Sequence, residues 1–202
     1  MLRNLPEVLL RGICLTCLLA GSAAACPNIA GMVDVGCDQV QKVVVTGDSV
    51  VSGVGCETPY PELLQRRFAD ATIENLGVSG ISAFQLLRDF KSNLRKRRKG
   101  RTFQATEGAD TVVIDVGRND YWRRVDPGVV AATIKRIVKL LRRELGANVI
   151  VAALMPNNRD VILNGRTTQS EFVKDVNHSL LKINSKRFPV HLRFDRMSSS
   201  LV

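Results

Sequence analysis

The chain has 202 residues, of which 45 % are hydrophobic and only 5 % aromatic. This length suits one domain with a leader, and the composition excludes collagen, a coiled coil and wholesale disorder. The formal net charge of +10 is compatible with nucleic acid, an anionic membrane or an acidic polymer as a partner, and equally with a basic soluble surface. The distribution of the charge therefore matters more than its sum.

The first 25 residues have the three-part pattern of a secretory signal peptide. Arg3 and Arg11 supply positive charge, Ile13–Ala20 is apolar, and Ala23–Ala25 forms an Ala-x-Ala cleavage site. The apolar run is too short for a comfortable membrane span. We expect cleavage after residue 25 and export to the periplasm or the cell exterior; the alternative is a buried N-terminal helix.

Three cysteines follow the cleavage site, namely Cys26, Cys37 and Cys56, and an exported protein can form disulfides. Cys26 and Cys37 flank a short loop and are the preferred pair. A lipid anchor on Cys26, the less favoured alternative, would leave Cys37 to pair with Cys56. No C-x-x-C pair occurs, so the cysteines predict no metal site. Residues 26–41 are predicted to be a linker to a domain that covers residues 42–202.

From residue 42 onwards, strand and helix signals alternate. In chain order they predict a strand at Lys42–Thr46, a helix at Glu62–Phe68, a strand at Ala71–Leu76, a helix at Ser82–Arg97, a strand at Asp110–Val116, a helix opened by Asp126-Pro127 and ended by Gly146, a strand at Asn148–Leu154, a helix at Gln169–Lys186 and a strand at Pro189–Phe194. Such alternation predicts βαβ units with helices on both faces of the sheet. We expect a three-layer α/β/α domain, flavodoxin-like, with about five mostly parallel strands.

The most basic segment runs from Arg88 to Arg101, at the end of a predicted helix and in the loop after it. One interpretation is a solvated face whose cations favour the helix C-terminus. The other is contact with an anionic envelope surface or polymer. Nucleic acid is not expected, because the chain has an export signal and this run lacks interleaved aromatic residues.

Ligands of open α/β sheets bind beyond the carboxyl ends of the strands, and three successive predicted strands end in polar or glycine-rich motifs. The first is followed by Gly47-Asp48-Ser49, the second by Asn75-Leu76-Gly77 and the third by Gly117-Arg118-Asn119-Asp120. The first loop lacks the Gly-Lys-Ser/Thr of a phosphate-binding P-loop and a full G-x-G-x-x-G pattern. Alone, each motif is also typical of an ordinary turn.

In this order and spacing the motifs resemble the first three sequence blocks of the SGNH/GDSL hydrolases, over about residues 42–194. The resemblance implies that Ser49 is the nucleophile of an ester hydrolase. It also implies an oxyanion hole made by the backbone N–H groups of Ser49 and Gly77 and the side-chain amide of Asn119. Asp48, which precedes Ser49, and Asp120, which follows Asn119, are expected to brace their turns. No cofactor or metal is implied.

Substrate-lining residues are predicted more loosely. Arg118 stands at a variable position of the third block, where it either lines the cleft and favours an anionic substrate group or points to solvent. The loop after the fourth strand would form one wall of the site, with Asn157, Asn158 and Arg159 as substrate contacts.

A serine hydroxyl needs a base to take its proton, and the resemblance implies an Asp-x-x-His motif after the last strand. No Asp-x-x-His occurs in the chain, whose only histidines are His178 and His191. His178 falls within a predicted helix, and His191 is four residues before Asp195, about 13 Å back along the predicted strand. Neither is expected to be the base. Either the sequence is an incomplete copy cut before the last block, which we favour, or it is a non-catalytic relative.

The sequence therefore predicts an exported serine esterase that acts on small acyl esters or O-acyl groups of carbohydrates. The alternative is a binding module on the same fold, without catalysis, that holds a carbohydrate or an anionic polymer. A third hypothesis is a basic adhesion protein that uses Arg88–Arg101.

Overall fold

A computed structural model of the chain describes residues 34–35, 37–96, 106–155, 168–182 and 190–192. The predicted leader, Cys26 and most of the predicted linker lie outside these residues. The loop residues Asn157, Asn158 and Arg159 also lie outside them.

The described part of the linker is tied to the domain by Asp110, whose carboxylate accepts the backbone N–H groups of Val35 and Lys42. Cys37 in this segment is disulfide-bonded, whereas Cys56 is exposed and carries a free thiol. The alternative pairing of Cys37 with Cys56 is therefore not the one in the structure.

Five strands form one sheet in the order β2-β1-β3-β4-β5, and every pair of neighbouring strands is parallel. The strands are β1 (Gln41–Gly47), β2 (Ala71–Gly77), β3 (Thr111–Asp115), β4 (Asn148–Ala152) and β5 (Val190–Leu192). This order is that of the flavodoxin-like folds, in which the direction of winding reverses beside the first strand. The predicted fold class and the five-stranded sheet are confirmed.

The described residues contain five α-helices and one 3-10 turn. They are α1 (Ser49–Ser52), α2 (Tyr60–Arg67), α3 (Ala83–Lys96), the 3-10 turn at Arg118–Asp120, α4 (Pro127–Leu145) and α5 (Gln169–Lys182). The predicted helix starts, and the predicted ends of α2 and α4, hold within two residues, whereas residues 97 and 183–186 of the predicted helices lie outside the described residues. Helix α1 is unexpected, because the sequence predicts only a loop after β1. Within these residues no helix combines the length and apolar character needed to cross a bilayer.

The reversal of winding decides which helices cover which face of the sheet. Right-handed crossovers place the connection from β1 to β2 on one face and the later connections on the other. Alternate residues of β1 follow this division, since Val44 packs in the large core with α3, α4 and α5. Val45 packs instead with Val51 of α1 and Tyr60 of α2. Val44 and Val45 are both fully buried, which explains the continuous valine run of this strand.

Two strand ends approach their neighbours so closely that only glycine fits. A Cβ atom on Gly47 would lie 1.9 Å from the carbonyl oxygen of Asp115, and a Cβ atom on Gly77 would lie 2.2 Å from the backbone nitrogen of Ser52. The first approach brings the ends of β1 and β3 together, and the second brings the end of β2 against α1.

We predict that Gly47→Ala lowers the free energy of unfolding by about 3 kcal/mol or more, because the clash is with backbone and cannot relax through a side chain. Gly55→Ala is the matched control: its added Cβ meets nothing within 4 Å, and only the strain of its positive φ costs about 1 kcal/mol. Urea unfolding of both variants measures the difference. Equal losses would show that the close approach of β1 and β3 does not constrain the fold.

Candidate active site

The loop after β1 places Ser49 at the first position of α1. Asp48 is the N-cap of this helix and is fully buried; its Oδ1 accepts the N–H of Val50 at 3.0 Å. Its own N–H donates to the carbonyl of Asp115 at 3.1 Å. These two bonds fix the turn on either side of Ser49, which is partly exposed. In the described residues neither the Oγ nor the N–H of Ser49 makes a hydrogen bond, so both are free to meet a ligand.

A buried ion cluster lies behind this turn. Nη1 of Arg118 is 2.8 Å from Oδ1 of Asp115 and 3.4 Å from both carboxylate oxygens of Asp48. The hydroxyl of Tyr60 donates a long hydrogen bond, 3.5 Å, to the other oxygen of Asp115. The cluster thus joins the residue that caps α1 to the last residue of β3.

Burial dominates the electrostatics of this cluster. Loss of solvation raises the pKa of Asp48 above its usual value, and the negative charge of Asp115 adds to the rise, while the positive charge of Arg118 opposes it. Burial works to lower the pKa of Arg118, but the two carboxylates outweigh it and raise the pKa. The pKa of Tyr60 is also raised, first by burial and then by the charge of Asp115, so this phenol stays neutral.

The structure corrects the role predicted for Arg118. Its side chain is only 11 % exposed and turns inward to two carboxylates. It therefore does not point to solvent, and its charge is already balanced before a substrate arrives. The spacing of the third block could not reveal this contact, because one of the two carboxylates lies 70 residues earlier in the chain.

The remaining residues of the third block fasten the loop after β3 to the loop after β2. Nδ2 of Asn119 donates to the carbonyl of Ile81 at 2.9 Å, and Oδ2 of Asp120 accepts the N–H of Ala83 at 2.8 Å. An amide nitrogen carries two hydrogens, so Asn119 keeps one donor for another acceptor. Asp120 is 1 % exposed, and burial raises its pKa while the hydrogen bond from Ala83 opposes the rise.

The structure does not support Gly77 as an oxyanion donor. Its N–H donates to Oδ1 of Asn75 at 2.9 Å, and Nδ2 of the same asparagine donates to the carbonyl of Val51 at 2.9 Å. Gly77 therefore belongs to the packing of β2 against α1. The glycine that the sequence interpretation missed is Gly80, which is exposed and has a φ of 78°.

Gly80 lies in the loop after β2, three residues beyond Gly77. It precedes Ile81, the residue whose carbonyl binds Asn119, and its own N–H makes no hydrogen bond among the described residues. Its carbonyl is 3.5 Å from Nη2 of Arg123. The Ser79-Gly80 dipeptide, a common marker of a turn with positive φ, was the signal in the sequence.

No described histidine adjoins Ser49. His178 is exposed on α5, next to Asn177, whose amide makes two hydrogen bonds with the backbone of Leu154. His191 lies on β5, three strands from β1 in the sheet, which corresponds to about 14 Å at the usual strand spacing. The described residues also contain no group of three or more His, Cys, Asp or Glu side chains that could hold a metal ion.

Comparison with known proteins agrees with this arrangement. A family model described as GDSL-like Lipase/Acylhydrolase family matches residues 45–197. The chain belongs to this family. The match includes the loops after β1, β2 and β3. Ester hydrolysis of small molecules is the general activity of such hydrolases. The predicted resemblance to the SGNH/GDSL hydrolases is confirmed.

Solved structures show the same fold at low sequence identity. AlinE4, titled an SGNH-hydrolase family esterase, is 18 % identical, with 81 % of this chain and 82 % of that chain covered and a TM-score of 0.56. TesA is 21 % identical, with coverages of 74 % and 76 % and a TM-score of 0.52. A lipolytic protein G-D-S-L family member from Veillonella parvula is 18 % identical, with coverages of 71 % and 72 % and a TM-score of 0.53. The comparison with curated proteins found no match.

We predict that Arg118→Met lowers the free energy of unfolding by on the order of 3–5 kcal/mol, because it leaves two buried carboxylates without their cation. Arg118→Lys should lose less, since it keeps the charge. Arg143→Met is the matched control: Arg143 pairs with Glu144 but is 73 % exposed, and such surface pairs contribute about 0–1 kcal/mol. Urea unfolding tests the series; losses of equal size at both arginines would contradict the buried cluster.

Asp120→Asn should become more stable relative to the parent protein as the pH rises. A carboxyl group whose pKa is raised in the folded state binds more protons there than in the unfolded state, so its contribution falls as the pH rises above the unfolded value of 3.8. The variant keeps an oxygen to accept the N–H of Ala83 and never ionises. Urea unfolding from acid to neutral pH gives the difference, and a difference that shrank with rising pH would refute the burial of this charge.

Proposed function

We propose that this protein is an exported ester hydrolase in which the Oγ of Ser49 attacks the carbonyl carbon of an acyl ester. The observation that carries the proposal is a partly exposed serine whose Oγ and N–H make no hydrogen bond among the described residues, fixed by Asp48 at the point where the winding of the sheet reverses. Open α/β sheets bind ligands at this point. The GDSL-like family match supports ester hydrolysis, and the leader pattern of residues 1–25 supports export to the periplasm or the cell exterior.

Three donors would stabilise the negative charge on the carbonyl oxygen during attack. They are the N–H of Ser49, the second Nδ2 hydrogen of Asn119 and the N–H of Gly80, which takes the place first assigned to Gly77. Asn119 is anchored through Ile81, so its donor need not reorganise as the charge develops. Loss of one such donor costs about 3 kcal/mol of transition-state stabilisation.

The substrates we propose are small acyl esters and, more specifically, O-acyl groups on carbohydrates. Arg118 does not select for an anionic substrate, because its charge is spent on Asp48 and Asp115. Contact with an anionic polymer through Arg88–Arg101 would not involve the site. Residues 88–96 of that run form the later part of α3, a helix that begins beside Asp120 and extends about 20 Å away from it. Residues 97–101 lie outside the described residues.

A fluorophosphonate probe, which reacts with activated serines, should label the full-length protein at Ser49, as located by mass spectrometry of the labelled peptide. Ser49→Ala should abolish labelling, while Ser79→Ala, an exposed serine in the next loop, should leave it unchanged. With p-nitrophenyl acetate as substrate, Asn119→Ala should lower kcat by about 10²–10³-fold. A folded protein that is never labelled would end the enzyme proposal.

One observation favours a second function. A serine nucleophile needs a base within hydrogen-bond reach, and neither described histidine adjoins Ser49. A binding module would hold an acylated or anionic glycan in the same cleft without turnover. Calorimetric titration of O-acetylated glycans separates the two: binding without release of acetate supports the module, and release of acetate supports the enzyme.

A further inference from the structure

Exposed apolar side chains are concentrated around the candidate site. Among the described residues eight large apolar side chains are exposed; of these, Val40 precedes β1, Leu63 is on α2 and Phe68 follows α2. The other five follow the carboxyl ends of strands, in loops or in the first turns of α3 and α4. We call these five the apolar rim: Val54, Val78, Phe84, Trp122 and Val129. In a parallel α/β sheet such loops and first turns share the edge that carries Ser49.

A hydrogen bond in the structure links the two segments that carry Trp122 and Phe84. Nη2 of Arg123 donates to Oε1 of Gln85 at 2.8 Å, which joins the residue after Trp122 to the residue after Phe84. The ring of Tyr121 is buried and meets Trp122 edge-on at 5.2 Å. Trp122 is therefore attached to a packed support and is still 46 % exposed, while Phe84 is 62 % exposed.

Positive charge accompanies these rings. Arg123 and Arg124 follow Trp122 directly and are both exposed. The nearest exposed carboxylate in the sequence, that of Asp126, accepts the N–H groups of Gly128 and Val129 at the start of α4. A tryptophan beside arginines suits a bilayer interface, because the indole ring favours the headgroup region and the cations are attracted to anionic lipids.

We infer that the apolar rim docks on an anionic lipid surface and brings the edge that carries Ser49 to that surface. The rim supplies the apolar contact and Arg124, with Arg123, supplies the electrostatic attraction. This goes beyond the proposed function, since docking requires no catalysis. It is also distinct from a polymer contact through Arg88–Arg101, a run that begins about one and a half turns into α3 and whose described residues continue away from the rim.

Trp122 is the single tryptophan of the chain, so its fluorescence reports on the rim alone. The test titrates the full chain with vesicles of phosphatidylcholine, with and without phosphatidylglycerol. We expect a blue shift of the emission with the anionic vesicles, which weakens as salt screens the charges. Quenching by brominated phosphatidylcholine in the same vesicles should place the indole ring within the bilayer interface.

Matched variants distinguish binding through the apolar rim from nonspecific adsorption of the protein to vesicles. Phe84→Ala should weaken vesicle binding about tenfold, because roughly half a phenylalanine side chain leaves the interface. Phe68→Ala, at the end of α2 and 56 % exposed, should change it little. Arg124→Gln should weaken binding about fivefold, and more than Arg66→Gln on α2. Ser49→Ala should bind as the parent does, so that failure of docking and failure of catalysis are told apart.

Four outcomes would overturn the inference. They are no shift with anionic vesicles, an equal shift with phosphatidylcholine alone, equal weakening by Phe84→Ala and Phe68→Ala, and a blue shift that grows with protein concentration in the absence of lipid. The last outcome would mean that a second copy of the chain covers the rim. The third would mean that vesicles are bound by another part of the chain, such as the apolar stretch of residues 13–20.

Discussion

The contact of Arg118 with Asp48 and Asp115 is the constraint on which the site depends. These three side chains come from the loop after β1, the end of β3 and the turn that follows β3, so their contact fixes one strand end relative to the other. Asp48 also caps α1, and Ser49 is the next residue. Arg118 thus helps to position Ser49 indirectly, through Asp48.

Other segments at this edge are held by hydrogen bonds between a side chain of one segment and the backbone of another. Asn75 binds the carbonyl of Val51, Asn119 binds that of Ile81, and Asp120 accepts the N–H of Ala83. Each bond also defines the position of a backbone donor or an amide. A set of donors fixed before the substrate arrives need not reorganise in the transition state, which is the condition for effective stabilisation of an oxyanion.

The sequence predicts the fold well because local patterns and global topology agree. The valine runs of β1 and β3, the Asp126-Pro127 start of α4 and its end at Gly146 are all readable from neighbouring residues. The site is less predictable because its contacts are not local. Motif spacing suggested Gly77 as a donor, but its N–H is taken by Asn75, whose amide is itself held by the carbonyl of Val51, 24 residues earlier. Likewise, nothing near residue 118 indicates that a carboxylate 70 residues away would turn its arginine inward.

The ion cluster is better explained by the orientation it gives to Asp48 than by a gain in folding stability. The pKa of Asp48 is raised even though a guanidinium lies beside it, so the fold disfavours the ionised carboxylate and loses stability as the pH rises above 3.8. Nη2 of Arg118 is buried without a hydrogen-bond partner among the described residues, which costs about 1–3 kcal/mol more. A well-packed apolar cluster of the same volume would be at least as stable. It would not, however, orient Asp48 to cap α1, and without that cap Ser49 would lose its defined position at the edge of the sheet.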